Sequence, residues 1–232
     1  MPVETEPTKR PTRRQVQPAA PAQIIVTPTT SPLLVLISAP SGGGKTTLIT
    51  SLLEAKPQMA RAVTCTTRPP REGERDGIDY YFLDAASFLK RVQAGNFLEH
   101  ATVYGNSYGT LKSEVLSKLR QGKDVLLSVD VQGAASIRQR AEEDIELKRS
   151  LMTVFLTPPT LAELEKRLKR RGTDSAQEIK KRLAVARQEF VQWKNFDYLL
   201  VSTTIEGDLR RMLSIIESEQ MRTARVQPPN FE

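Results

Sequence analysis

The chain of 232 residues has one cysteine, Cys65, and one histidine, His100. A single cysteine excludes an internal disulfide framework and fits a reducing compartment, so a cytoplasmic protein is expected. A single histidine rules out a His-rich metal site and leaves a Ser–His triad poorly supported. Aromatic residues make up only 6% of the sequence, with no interleaving of basic and aromatic positions to suggest a base-stacking platform. No apolar run approaches the roughly 20 residues needed to cross a bilayer, and the N-terminus carries no continuous signal-type apolar stretch. Neither a nucleic acid nor a membrane is expected as a partner.

What is present suits a soluble globular chain: 39% hydrophobic and 26% charged residues, with a formal net charge of +7. The most informative stretch is 33–48. An apolar run, Leu33 to Ile37, ends in Ser38, Ala39, Pro40, Ser41, Gly42, Gly43, Gly44, Lys45, Thr46 and Thr47, and a helical pattern follows. This is the strand–loop–helix pattern of a phosphate-binding P-loop. Glycines let the backbone bend around an anion and aim N–H groups at it, and the helix start offers unpaired N–H groups to the same anion. Lys45 reaches the β- and γ-phosphates and the Thr46 hydroxyl ligates Mg²⁺ in such a loop. Ala39 stands where the strict pattern has glycine, and it is the next smallest side chain. With a triphosphate site in view, the positive balance reads best as matched to phosphorylated small molecules.

Residues 1–32 hold seven of the fifteen prolines, no aromatic residue, and the basic set Lys9, Arg10, Arg13 and Arg14. Such a composition cannot bury enough apolar surface to offset ordering entropy, so a disordered extension is expected. Beyond it, strands are expected at 33–38, 125–130, 151–156 and 198–201, alternating with helices. This predicts an α/β fold, a parallel sheet of P-loop NTPase type flanked by helices. The block 62–110 breaks the rhythm with short strands and turns, and is read as an inserted subdomain in which 105–110 form a turn. Helices over 160–171 and after Ser175, broken at Gly172, form a candidate lid. Residues 226–232 are read as a frayed end.

Several further segments occur together. They are Thr66-Thr67-Arg68-x-x-Arg71-x-Gly73-Glu74-x-x-Gly77-x-x-Tyr80-x-Phe82, Phe97-Leu98-Glu99-His100-Ala101, Tyr104-Gly105-Asn106-x-Tyr108-Gly109 and Asp130-x-Gln132-Gly133. With the loop at 39–47, they make the chain resemble the guanylate kinase family over roughly 33–220. The resemblance implies a kinase-like domain over 33–225, with a GMP-binding insert at about 62–110 and a helical lid at about 165–185. It implies Mg²⁺-dependent phosphoryl transfer from ATP to GMP, with dGMP as a further acceptor. ATP would lie on Ala39 to Thr47, with Thr46 on Mg²⁺. GMP would be held by Thr64, Arg68, Arg71, Tyr80, Glu99, Tyr108, Thr110 and Asp130. Lys45, Arg68, Arg167, Arg171 and Arg182 would act on the transferring group.

The chemistry of these residues agrees. Two arginines three apart can clamp a phosphate dianion in charge-assisted bonds, and two tyrosine hydroxyls can donate to it. Guanine presents N1–H and N2–H₂ as adjacent donors, which a carboxylate accepts, whereas adenine would leave that carboxylate unpaired. Lid arginines would neutralise developing charge and exclude water. Two departures from the family pattern stand out. Ser128 occupies a position that is usually acidic, and Ser202-Thr203-Thr204 replaces an Asn-Asp-type segment, so no adenine contact is assigned there. Two other functions fit parts of the pattern. A non-catalytic module of this family that binds protein would be expected to lose the intact Gly44-Lys45-Thr46, and a same-fold kinase for a sugar phosphate would not need Glu99. Nothing in the sequence sets the oligomeric state.

Overall fold

The apolar run after Pro32 becomes the middle strand of a parallel sheet. The computed structural model describes residues 30–103, 105–172 and 174–226. In it, β1 (Leu34–Ser38) is buried along its whole length. Its sheet has the order β2 (Ala60–Arg61), β7 (Val125–Ser128), β1, β8 (Leu151–Thr157), β9 (Tyr198–Val201), with every pairing parallel. A strand covered on both faces shows no polar alternation, which is why β1 reads as continuous Leu, Val and Ile. Val35 and Ile37 join Met152 and Val154 beneath α1 (Lys45–Ala55) and α8 (Ile205–Gln220), against Leu48, Leu52, Met212 and Ile216. Leu34 and Leu36 face the other way with Val125 and Leu127, beneath α3 (Lys112–Arg120), α4 (Val131–Glu142) and α5 (Ile145–Ser150). Each such fully buried side chain stabilises the fold by roughly 1.5–3 kcal/mol.

A second sheet, in the order β4 (Tyr81–Phe82), β3 (Cys65–Thr66), β6 (Asn106–Leu111), β5 (Phe97–Val103), lies between α1 and α3 in the chain. Its small core holds Cys65, Phe88 and Phe97, with Phe88 from α2 (Ala85–Gln93) stacked on Phe97 at a centroid distance of 4.6 Å. Burial pushes the Cys65 thiol up to about 11, so it remains a neutral packing group.

Three local expectations are corrected. Residues 106–110, read as turn, belong to β6, paired antiparallel with β5. Their glycine and polar content hid the strand, but pairing overrides weak propensity. Gly109 suits the tight pairing, since a Cβ there would stand 2.9 Å from the Glu99 carbonyl oxygen. The short β-prone piece expected over 62–66 is a strand only at Cys65–Thr66, which is β3 of the second sheet, while β2 of the main sheet lies just before it at Ala60–Arg61. Between α4 and β8, α5 was not foreseen. It is one and a half turns long, capped by Asp144 and anchored by Leu147.

Most of the expected disordered extension (1–29) and of the frayed end (227–232) lies outside the described residues. Thr30 and Val226, at the described edges of those segments, form a β-bridge, and the Ser31 N–H donates to the Arg225 carbonyl at 2.9 Å. After β8, α6 (Leu161–Arg171) and α7 (Ala176–Phe190) form a helical pair joined at left-handed Gly172, and Leu164, Leu168, Ile179 and Ala186 pack between them. The loop after β1, Asp130 after β7, α6 after β8 and Ser202 after β9 all follow the carboxyl ends of parallel strands. There the chain order switches direction around β1, which is where open α/β sheets hold ligands.

Candidate active site

The loop 39–44 turns through two left-handed glycines, Gly42 at φ 88° and Gly44 at φ 101°. At Gly42 there is also no room: a Cβ would lie 2.8 Å from Leu168 Cδ2. The α6 helix thus presses directly on the loop. Gly44 is the N-cap of α1, and no side chain caps that helix start, so its N–H groups stay available to an anion. Lys45, half-buried, donates from Nζ to the Val129 carbonyl at 2.8 Å. Burial lowers its pKa from the ordinary lysine value, and the charges of Asp130 and Glu189 oppose that shift. Thr46 and Thr47 are exposed in the first turn of α1.

Four arginines from α6 and α7 stand around this loop. Arg182 on α7 donates to Ser41 Oγ at 3.1 Å and pairs with Asp174 at 3.2 Å. Arg167 on α6 donates to Ser202 Oγ at 3.0 Å and pairs with Glu163 at 3.0 Å. Arg171 is exposed, and with Arg167 and Arg170 it lines a cleft of about 530 Å³ shared with Gly42, Gly44, Thr47 and the segment from Ser202 to Glu206.

The second sheet carries another cationic cluster. Arg68 donates to Glu74 Oε1 at 2.8 Å, lies over the Tyr80 ring at 5.4 Å, and has the Tyr108 hydroxyl as a further acceptor. The rings of Tyr80 and Tyr108 meet edge to face with centroids 6.3 Å apart. The exposed Arg71 joins through its backbone N–H, which donates to Glu74 Oε2 at 2.7 Å. The Arg68 hydrogen bond, followed by that N–H, holds the Glu74 carboxyl below its ordinary range. Thr64 precedes β3, and its carbonyl accepts the Tyr81 N–H.

Glu99 owes its position to a β-bulge between Phe97 and Glu99. Strand alternation sends Phe97 and Leu98, adjacent in sequence, into two different cores, and the extra residue shifts the register so that Glu99 stands opposite Thr110. The Thr110 hydroxyl donates to Glu99 Oε1 at 2.8 Å. Glu99 Oε2 lies 3.3 Å from where a Cβ on Gly133 would stand, at the head of α4. Desolvation raises the Glu99 pKa, and repulsion from Asp130 adds to the rise. Asp130 caps α4 through the Gly133 N–H at 2.7 Å, and its charge is felt by both Lys45 and Glu99. It stands where the two halves meet.

The sequence reading missed two acidic groups here. Glu74 holds the arginine cluster together. Glu189, on α7, accepts the Ser41 N–H and lies near Lys45 and Asp130, with its carboxyl raised chiefly by burial. A signal for the second existed: Glu189 follows Arg182 by seven residues, so both occupy one helix face.

Fold and site together define a P-loop α/β protein with a second cluster of arginine and tyrosine side chains on a separate sheet. The guanylate kinase family model matches residues 31–219. The chain is 42% identical to the guanylate kinase of Novosphingobium aromaticivorans, covering 83% of this chain and 85% of that one. It is 41% identical to that of Coxiella burnetii, over 82% and 88% of the two chains. The crystal structure of guanylate kinase from Anaplasma phagocytophilum superposes with a TM-score of 0.65 at 30% identity, covering 85% of this chain and 90% of that chain. This chain belongs to the guanylate kinase family. No helix among the described residues is long and apolar enough to cross a membrane.

Proposed function

We propose that this enzyme transfers the γ-phosphoryl group of ATP to GMP, giving ADP and GDP. The observation that carries the proposal is Glu99, a half-buried carboxylate bonded to the Thr110 hydroxyl and set at the head of α4. A desolvated acceptor of this kind is matched by the paired N1–H and N2–H₂ donors of guanine and left unpaired by adenine.

The GMP phosphate, near −2 in charge, takes the place now held against Arg68 by Glu74, with Arg71, Tyr80 and Tyr108 around it. Thr64, Thr110 and Asp130 complete the acceptor side. The ATP phosphates lie on the backbone of 39–47, and Lys45 leaves the Val129 carbonyl to meet them. Arg167, Arg171 and Arg182 surround the transferring group, neutralise its charge and keep water out. Transfer is in line and needs positioned charge rather than a strong base, so no protein base is assigned.

The donors present fit Mg²⁺. The Thr46 hydroxyl is exposed at the start of α1, and Ser128 ends β7 exposed. Among the described residues no group of three or more His, Cys, Asp or Glu side chains is arranged to cage an ion. That suits a cation bound mainly by substrate phosphates and water. Thr46 would hold it. When bound, the ion would supply positive charge that stabilises the transferring phosphoryl group.

A coupled assay of ADP release with GMP, dGMP, AMP and UMP tests the reading. Turnover with GMP and dGMP is expected. Preference for AMP would remove the role given to Glu99, and no turnover with any nucleotide would leave the protein-binding module and the sugar-phosphate kinase as the alternatives.

A further inference from the structure

The corner where β9 enters α8 is built around a buried carboxylate. Asp208, in the first turn of α8, is 7% exposed. Its Oδ1 accepts the Thr203 N–H at 2.9 Å and a bond from Arg211 at 2.7 Å. The positive end of the helix also favours a negative charge there. The remaining oxygen, Oδ2, accepts from the Ser202 hydroxyl at 2.6 Å. Ser202 is 4% exposed, and its Oγ also meets Arg167 Nη1 at 3.0 Å.

The direction of each bond follows from chemistry alone. A carboxylate only accepts and a guanidinium only donates. The single hydroxyl proton of Ser202 therefore goes to Asp208, and its lone pair takes Arg167. With Nε held by Glu163 at 3.0 Å and Nη1 held by Ser202, the guanidinium is fixed at two edges. It is fixed over the phosphate loop: Nη1 stands 3.7 Å from where a Cβ on Gly44 would lie.

We infer that Ser202, oriented by Asp208, is a positioning residue for the donor half of the site, holding Arg167 over the phosphate loop before ATP arrives. A segment that offers no amide for base recognition thus supplies a hydroxyl that sets an arginine. The inference rests on the donor-side role proposed for Arg167.

The test is a double-mutant cycle in the full-length enzyme, read as kcat/KM for ATP and KM for GMP, with melting temperatures recorded for each variant. Arg167→Met keeps the packed stem and is expected to lower kcat/KM for ATP by about 100-fold. Ser202→Ala is expected to lower it by about tenfold with KM for GMP within about twofold, and Ser202→Thr, which keeps the hydroxyl, to restore most of it. In the Arg167→Met background, Ser202→Ala should change little, because its partner is gone. Equal losses from Ser202→Ala in both backgrounds would overturn the inference, as would no loss in the native background. Should the alanine variant not fold, Ser202→Cys, similar in shape and a poor partner, takes its place in the cycle. If Arg167→Met alone has no effect, the role of Arg167 fails as well. A loss from Arg167→Met without one from Ser202→Ala removes only the role of Ser202.

Discussion

Replacing Glu99 by glutamine keeps the shape of the side chain and removes its charge, and activity and stability are expected to move in opposite directions. In the folded protein the carboxyl is desolvated, and Asp130 repels its charged form. Its pKa is therefore above the ordinary glutamate value. As pH rises through the ordinary glutamate range, the unfolded chain ionises while the folded chain resists, so this group costs stability above that range. Glutamine removes the cost. Its amide oxygen still accepts the Thr110 hydroxyl, whose bond to Glu99 is now 2.8 Å. The variant is expected to be more stable by about 1 kcal/mol at neutral pH, with a flatter fall in stability above pH ~5. Guanine recognition suffers. Two hydrogen bonds to a charged acceptor, each about 1.5–3 kcal/mol, are replaced by one neutral bond and a clash of donors. The expected loss in kcat/KM for GMP is about 10²–10⁴-fold, with KM for ATP nearly unchanged. Thermal melts across pH 5 to 9 and the coupled assay measure both quantities. A variant that melts lower than the native enzyme, or that loses less than about tenfold in kcat/KM for GMP, would refute the reasoning.

Three other substitutions isolate separate parts of the structure. Gly42→Ala places a Cβ 2.8 Å from Leu168 at φ 88°; it is expected to cost about 1–3 kcal/mol in denaturant unfolding and to lower ATP turnover by well over tenfold. Arg68→Lys keeps the charge but loses the planar fork that spans Glu74 and the Tyr80 ring, so steady-state kinetics should show KM for GMP rising by about tenfold or more, with KM for ATP little changed. Arg225→Ala removes one partner of Glu219, which is 1% exposed, now bonded at 3.0 Å and 3.1 Å, and leaves the Tyr198 hydroxyl and Arg222 in place, so the unfolding midpoint should report a loss of about 1–3 kcal/mol without a change in either KM.

The features legible in the sequence are those where backbone geometry or continuous burial leaves few residue choices. The strand from Leu34, the glycine turn before Lys45 and the left-handed break at Gly172 are of this kind. The second sheet was only half legible. A one-residue bulge at Leu98 and a strand made of Asn106, Ser107, Tyr108, Gly109, Thr110 and Leu111 depend on pairing partners, not on local preference. Charges that act across the fold were the least legible. Glu189 meets Ser41 only because α7 folds back over the loop, and Glu74 is informative only once Arg68 is seen against it.

Ser202 shows the limit most clearly. Read along the chain, it is a missing amide. In the fold it is joined to a carboxylate six residues later and to an arginine thirty-five residues earlier. Neither spacing has a helical or strand period that a pattern could report, since α6, β9 and α8 meet only at the carboxyl ends of the sheet. A substitution there cannot be judged by asking whether it keeps a contact with a nucleotide base. It has to be judged by what happens to Arg167 when the hydroxyl is gone, and the loss should be seen in the rate with ATP before it is seen in stability.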